Sequence, residues 1–236
     1  HTLVVSGTNL AGRPDTGDEI DVFNVDDPSR LGSDAEAVGF FDHGTARFSV
    51  PAGHYWAVAD FCCGRGFSSR LVVVPQFSVS RAAPTSTLHV SERSATSRIA
   101  ITTPRPAKVQ DAVFNLLRLN ARGGGVFDSE DVPENTWVSP TTARPTVGTL
   151  QTDTQATFTS PSSAPGTPYA YLLDFPGPRG IVPAQHFRPR AASLATVRER
   201  YFQDAKSAGS WCTVGGFVYP DGAFDFTCLG LPLKFP

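Results

Sequence analysis

Methionine is absent from the 236 residues of this chain, which opens at His1. Translation starts on methionine, so the expectation is a processed product or part of a longer protein. No apolar run reaches the ~18 residues that a membrane-spanning helix needs. No charged start followed by a short apolar stretch appears, so no secretory leader is read in these residues. Charge is sparse and balanced, with 20 Lys and Arg against 22 Asp and Glu, a net charge of -2. With a pI near 6.2, the chain offers no electrostatic footprint for nucleic acid or an anionic membrane. Neither partner is expected.

The motifs of the common chemistries are missing too. There is no Gly-x-Ser-x-Gly elbow, and Gly123-Gly124-Gly125 lacks the Lys-Ser/Thr that a phosphate-cradling loop requires. His1, His43, His54, His89 and His186 share no ligand spacing, and no Cys/His group has the spacing of zinc ligands. The acids Asp26, Asp27 and Asp34, and again Asp128, Glu130 and Asp131, cluster without EF-hand order. Arg65 would lower the pKa of a thiol at Cys62 or Cys63, but no nucleophile signature surrounds that pair. No metal, cofactor or catalytic residue is expected.

What the sequence does have is 21 Gly and 20 Pro, punctuating short β-type segments. The strongest stretch is Phe48–Val79. It holds strand signals at Tyr55–Phe61 and Leu71–Val74, the turn Pro51-Ala52-Gly53, and the adjacent Cys62 and Cys63. The apolar run Leu71–Val74, ended by Pro75, reads as a buried central strand. Thr2–Ser6, Ile20–Val25, Val38–Phe41, Thr45–Val50, Phe77–Val79, Ser86–Val90 and Arg98–Thr102 read as further strands. Ile20, Val22 and Asn24 alternate against Asp21, Phe23 and Val25, as in a strand with one partly wet face. Strands every ~8–12 residues predict a sandwich in the first 95 residues. The expected fold class is all-β, with two β-sandwich domains at 1–95 and 96–236.

In the second half, Ala112–Leu119 and Leu194–Phe202 fit helix or strand, and their β surroundings favour strand. Arg122–Pro133 reads as loop, and the Pro/Ser/Thr-rich stretch at about 139–168 as linker or exposed loop. Strands resume at Tyr169–Asp174. Trp211–Tyr219 and Ala223–Cys228 form a hairpin around Pro220-Asp221-Gly222.

Four cysteines allow three pairings. Cys212–Cys228 would clip two neighbouring strands and leave Cys62 and Cys63 as a vicinal bridge or as thiols. Separate links from Cys62 and Cys63 to the C-terminal pair would staple the two halves. Buried free thiols are the third reading. Any bridge implies an oxidising compartment. Trp56, Trp137, Trp211 and Tyr219 are candidate stacking residues for a sugar or peptide, their other role being to fill a core.

The run Phe48-Ser49-Val50-Pro51-Ala52-Gly53-His54-Tyr55 resembles the strand–turn–strand of carboxypeptidase-regulatory-like, prealbumin-like sandwiches, and Gly12-Arg13-Pro14 fits the same template. The resemblance implies an Ig-like or prealbumin-like first domain acting as a binding or spacer module. Pro51-Ala52-Gly53-x-Tyr55, Val72-Val73-Val74-Pro75, Thr87-Leu88-His89-Val90 and Thr103-Pro104-Arg105-Pro106-Ala107 resemble a wider region. It is the one that follows the catalytic domain in secreted subtilisin-like serine proteases of actinobacteria, and the clearer likeness stops near residue 120. No Asp, His or Ser here sits in a subtilisin-type motif, so no catalytic residue is carried over. The resemblance implies secretion and an attached catalytic protease domain. The function expected is a non-catalytic accessory module that binds substrate or a surface, or stabilises an enzyme. The alternative is a freestanding secreted binder of carbohydrate or protein.

Overall fold

Period-two alternation of side chains, with both faces of several strands apolar, builds a stack of sheets rather than one sheet with a wet side. The computed structural model describes residues 1–27, 36–62, 68–132, 134–163 and 168–198, and the backbone of the strands at 211–218 and 224–231. The strands are β1 Thr2–Thr8, β2 Glu19–Asn24, β3 Glu36–Phe40, β4 Thr45–Ser49, β5 Gly53–Phe61, β6 Ser68–Val79, β7 Thr85–Ser91, β8 Ser97–Arg98 and β9 Ala100–Ile101. They continue with β10 Lys108–Leu119, β11 Gly125–Asp131, β12 Asn135–Val138, β13 Thr149–Thr159, β14 Ala170–Pro176, β15 His186–Phe187, β16 Trp211–Val218 and β17 Phe224–Leu231. Among the described residues the only helical turns are short 3-10 turns at Glu92–Ser94 and Ala191–Ser193. The fold is all-β.

A six-stranded sheet of order β3-β2-β5-β6-β12-β8 lies in the middle. The three-stranded sheet β4-β1-β7 covers one of its faces. The four-stranded sheet β11-β10-β13-β14 covers the other. Ile20, Val22, Tyr55, Ala57, Ala59 and Val72 pack towards Leu3, Val5, Phe48 and Val90 on the first side. Phe23, Trp56, Val58, Leu71 and Val73 pack towards Phe114, Leu116, Val126 and Leu150 on the second. Burying each such Val, Leu, Ile or Phe contributes about 1.5–3 kcal/mol, so two apolar cores hold three layers together.

The middle sheet draws strands from both sides of residue 95. β12 runs parallel to β6, with Val138 opposite Leu71, and β8 pairs with β12. β16 and β17 form an antiparallel hairpin, with β17 beside β10 and β13 and β16 beside β14. Its register sets Cys212 opposite Gly230 and Cys228 opposite Val214.

Several expectations change. Pro75 does not end a strand: β6 runs on to Val79. Pro75 and Gln76 together oppose Trp56, in a bulge between the pairs Ala57/Val74 and Tyr55/Phe77. The extra residue resets the alternation, so that Val72, Val74, Phe77 and Val79 all serve the same core. A bulge also tolerates the missing N–H of proline.

Ala112–Leu119 is strand, within β10. The expected loop at Arg122–Pro133 contains β11, and Thr149–Thr159 inside the Pro/Ser/Thr-rich stretch is β13, whose central residues are all buried. Threonine suits a strand as well as a loop, which is why composition misread it. Leu194–Arg198 is not strand. Residues 199–202 and the turn Pro220-Asp221-Gly222 lie outside the described residues.

Candidate functional site

The Pro51-Ala52-Gly53 turn is built by the tyrosine that follows it. Tyr55 Oη donates to the Pro51 carbonyl at 2.8 Å and accepts from Asn24 Nδ2 at 3.0 Å, in a buried position where each bond strengthens the other. Asn24 Oδ1 accepts the Asp27 amide at 2.9 Å, which fixes the chain leaving β2. Asp26 then reaches over the turn. Its carboxylate accepts the His54 amide at 2.9 Å and lies 3.0 Å from His54 Nδ1. A Cβ on Gly53 would stand 2.8 Å from Asp26 Oδ2, so a larger residue there would push that carboxylate aside.

Beside this turn opens a cleft of about 460 Å³, lined by Asn24, Asp26, Asp27, Ala52, Arg81, Asn120 and Arg122. Its wall comes from four connections. Asp26 and Asp27 follow β2, Ala52 lies between β4 and β5, Arg81 between β6 and β7, and Asn120 and Arg122 between β10 and β11. The last belongs to the outer four-stranded sheet, so only the stacking of layers makes the cleft. Asn120 Oδ1 accepts the amides of Arg122 at 2.8 Å and Gly124 at 3.0 Å, shaping that corner. The lining holds two carboxylates, two guanidinium groups and two amides, and no aromatic ring.

A second charged region lies at the margin between the middle and outer sheets. Glu19 and Asp21 on β2, Glu36 on β3 and Asp60 on β5 face Asp128 and Glu130 on β11. Burial, with the neighbouring carboxylates adding to it, pushes Asp21 up to about 8, Asp128 to about 7 and Glu130 to about 9. Asp21 Oδ1 and Asp128 Oδ2 are buried without a hydrogen-bond partner among the described residues. Asp60, also raised by burial, accepts from Ser69 Oγ at 2.6 Å. These acids sit on strands, whereas Asp128 and Glu130 were expected on a loop.

The aromatic candidates separate. Trp56 is fully buried, stacked on Phe23 with ring centroids 4.3 Å apart, and no ligand reaches it. The expectation of a binding role for Trp56 is corrected: both faces of β5 are covered. Trp137 is half-buried on β12 under the Arg70 guanidinium, 4.8 Å from its ring centroid. Trp211 starts β16, and Tyr219 lies outside the described residues, as do Cys63 and Asp34. No cysteine among the described residues is a free thiol. Cys62 ends its segment with its amide donating to Asp18 Oδ1 at 3.2 Å.

Arg81, Asn120, Arg122 and Asn24 were not singled out from sequence. The available signal was position: each stands at or beside a strand end, and a strand end fixes no partner until its neighbours are known.

No family model matches the chain, and no curated protein matches it. Among solved structures it is similar to the Bacillus anthracis TIE protein, at 14% identity and a TM-score of 0.29, with 80% of this chain and 32% of that one covered. The chain thus spans about a third of the length of that protein. A proposed adhesin from Bacteroides ovatus is 10% identical at a TM-score of 0.32, covering 86% of this chain and 94% of its own. A Streptococcal ancillary pilin is 12% identical at 0.29, covering 80% and 62%. At TM-scores this low, nothing those proteins do is carried to this chain.

Proposed function

We propose that this chain is a non-catalytic β module of an extracellular protein, and that it binds a charged segment of another protein in the mixed-charge cleft. One observation carries the reading: a cavity of about 460 Å³ lined by Asp26, Asp27, Arg81 and Arg122 with the amides of Asn24 and Asn120. Guanidinium groups pair with carboxylates in fixed bidentate geometry, and aspartates take up lysine or arginine. Sugar sites lean on aromatic stacking, and no ring lines this cleft, so a polypeptide is favoured over a glycan. In this proposal Cys62 belongs to a disulfide of an oxidising compartment. The resemblance of Pro51-Ala52-Gly53-x-Tyr55 and its flanks to regions after secreted subtilisin-like domains makes such a protease the neighbour we propose.

The test is a titration of the isotope-labelled chain, followed by backbone amide shifts. The probes are short peptides of mixed charge, all-acidic and all-basic peptides, and neutral oligosaccharides. Mixed-charge peptides are expected to move the amides of Ala52, Asn120 and Arg122, with affinity falling as salt rises. Arg122→Glu should abolish the shifts while the fold stays intact. Shifts only with oligosaccharides, or none at the cleft with any probe, would overturn the reading.

A further inference from the structure

A second cavity, of about 210 Å³, is lined by the connection from β12 to β13, the start of β13, and the connection from β14 to β15. Arg144 comes from the first connection and Arg179 from the second. Unlike the mixed-charge cleft, this cavity has no acid in its wall. Among the described residues neither guanidinium has an ion-pair partner. Backbone bonds hold the two connections together. Thr141 N donates to the Ile181 carbonyl at 3.0 Å, and Ile181 N to Thr141 Oγ1 at 2.9 Å. Gly180 N donates to the Leu150 carbonyl at 2.9 Å. At φ 84°, Gly180 also brings the second connection close to the first, since a Cβ there would stand 2.6 Å from Thr141 Oγ1. The frame that carries both arginines is thus tied before any ligand arrives.

Two cations in one wall repel each other until an anion joins them, and guanidinium groups take planar carboxylates through paired N–H bonds. We propose that this cavity is a binding site for a carboxylate carried on a short aliphatic body, held by Arg144 and Arg179. The rest of the wall selects the anion. Ala143, Pro145 and Leu150 set apolar surface beside the cations, which suits a carbon chain rather than a fully polar ion. The amides of Thr141 and Gly180 are engaged by carbonyls, and Pro145 has none. These positions therefore add no cradle of free N–H groups of the kind that phosphate sites use. A free small acid and the last residue of a polypeptide both carry the required chemistry. The site stands apart from the cleft reading, since the two cavities share no lining residue.

The experiment titrates the isotope-labelled whole chain and reads the backbone amides of Gly148, Thr149 and Gly180. The probes are butyrate, N-acetyl-alanyl-valine with its free carboxylate, the same dipeptide amidated, and inorganic phosphate. Butyrate and the free-acid dipeptide are expected to move these amides, with affinity falling as salt rises. The amidated dipeptide should move none. Tighter binding of butyrate identifies a free acid as the ligand, and tighter binding of the dipeptide identifies a chain terminus. Arg144→Gln and Arg179→Gln should each weaken binding about tenfold or more. Arg47→Gln, at an exposed position outside the cavity, should leave it unchanged. Both cavity arginines are exposed, so the variants are expected to fold; if one does not, the other decides. The site is overturned if neither carboxylate moves the amides, or if the amidated dipeptide moves them equally. It is also overturned if phosphate binds as tightly as butyrate, or if both arginine variants bind like the wild type.

Discussion

Arg118 Nε donates to the Pro75 carbonyl at 3.0 Å, so a buried guanidinium on β10 is bound to the bulge in β6. The same side chain donates to the carbonyls of Val147 and Leu119 at 2.6 Å each and of Thr149 at 3.2 Å. Gln76, the other bulge residue, accepts the amides of Thr146 at 2.9 Å and Val147 at 3.0 Å. A bulge freed from ladder pairing thus fastens the middle sheet to the outer one. Burial lowers Arg118 to about 10, still far above neutrality, so the group stays charged in its ring of carbonyls.

Arg118→Ala is expected to destabilise the chain by about 3–5 kcal/mol, because several buried carbonyls lose their donor at once. Arg118→Lys should recover only part of this, since an ammonium lacks the planar fork. Urea unfolding of both variants checks it; a loss under about 1 kcal/mol in Arg118→Ala would show that the carbonyls find other donors.

The acids between the middle and outer sheets make stability fall as pH rises. Their folded pKa values, about 8 for Asp21, about 7 for Asp128 and about 9 for Glu130, lie above the ordinary carboxylate values. The folded chain therefore keeps protons that the unfolded chain releases. That contribution is complete below about pH 4 and is lost as pH climbs through 7 to 9. The slope reaches about 1.4 kcal/mol per pH unit for a group such as Glu130. Melting temperatures from pH 5 to 9 should fall, and Glu130→Gln should flatten the upper part. A profile rising over that range would show that cations compensate the acids.

Gly148 and Gly123 both have positive φ, yet their substitutions should differ. A Cβ on Gly148, at φ 67°, would stand 1.8 Å from the Leu119 carbonyl oxygen, whereas nothing lies within 4 Å of one on Gly123. Gly148→Ala is expected to cost about 3 kcal/mol or more, and Gly123→Ala about 1 kcal/mol. Equal losses in denaturant titrations would refute the close approach.

Trp56→Ala should cost about 3–5 kcal/mol through the cavity it leaves against Phe23. Trp56→Phe should leave peptide shifts at Arg122 unchanged. Loss of binding with intact folding in that variant would return Trp56 to the list of ligand contacts.

The sequence by itself determined the class of fold. Period-two alternation, frequent Gly and Pro, and the apolar run at Leu71–Val74 allow little but short strands, because such segments bury their apolar faces only as sheets. It also determined the Pro51-Ala52-Gly53-x-Tyr55 turn, whose hydrogen bond spans four residues. Tertiary structure decided the rest. Asp21, Phe23 and Val25 look like a partly wet face until the four-stranded sheet covers them, and only then do Asp21, Asp128 and Glu130 confront one another. The bulge at Pro75 is invisible until Trp56 stands opposite it. Arg81 and Arg122, 41 positions apart, share a cleft because two layers stack. Local sequence sets local geometry, whereas burial of charge and the shape of a cavity depend on which distant surfaces exclude water together.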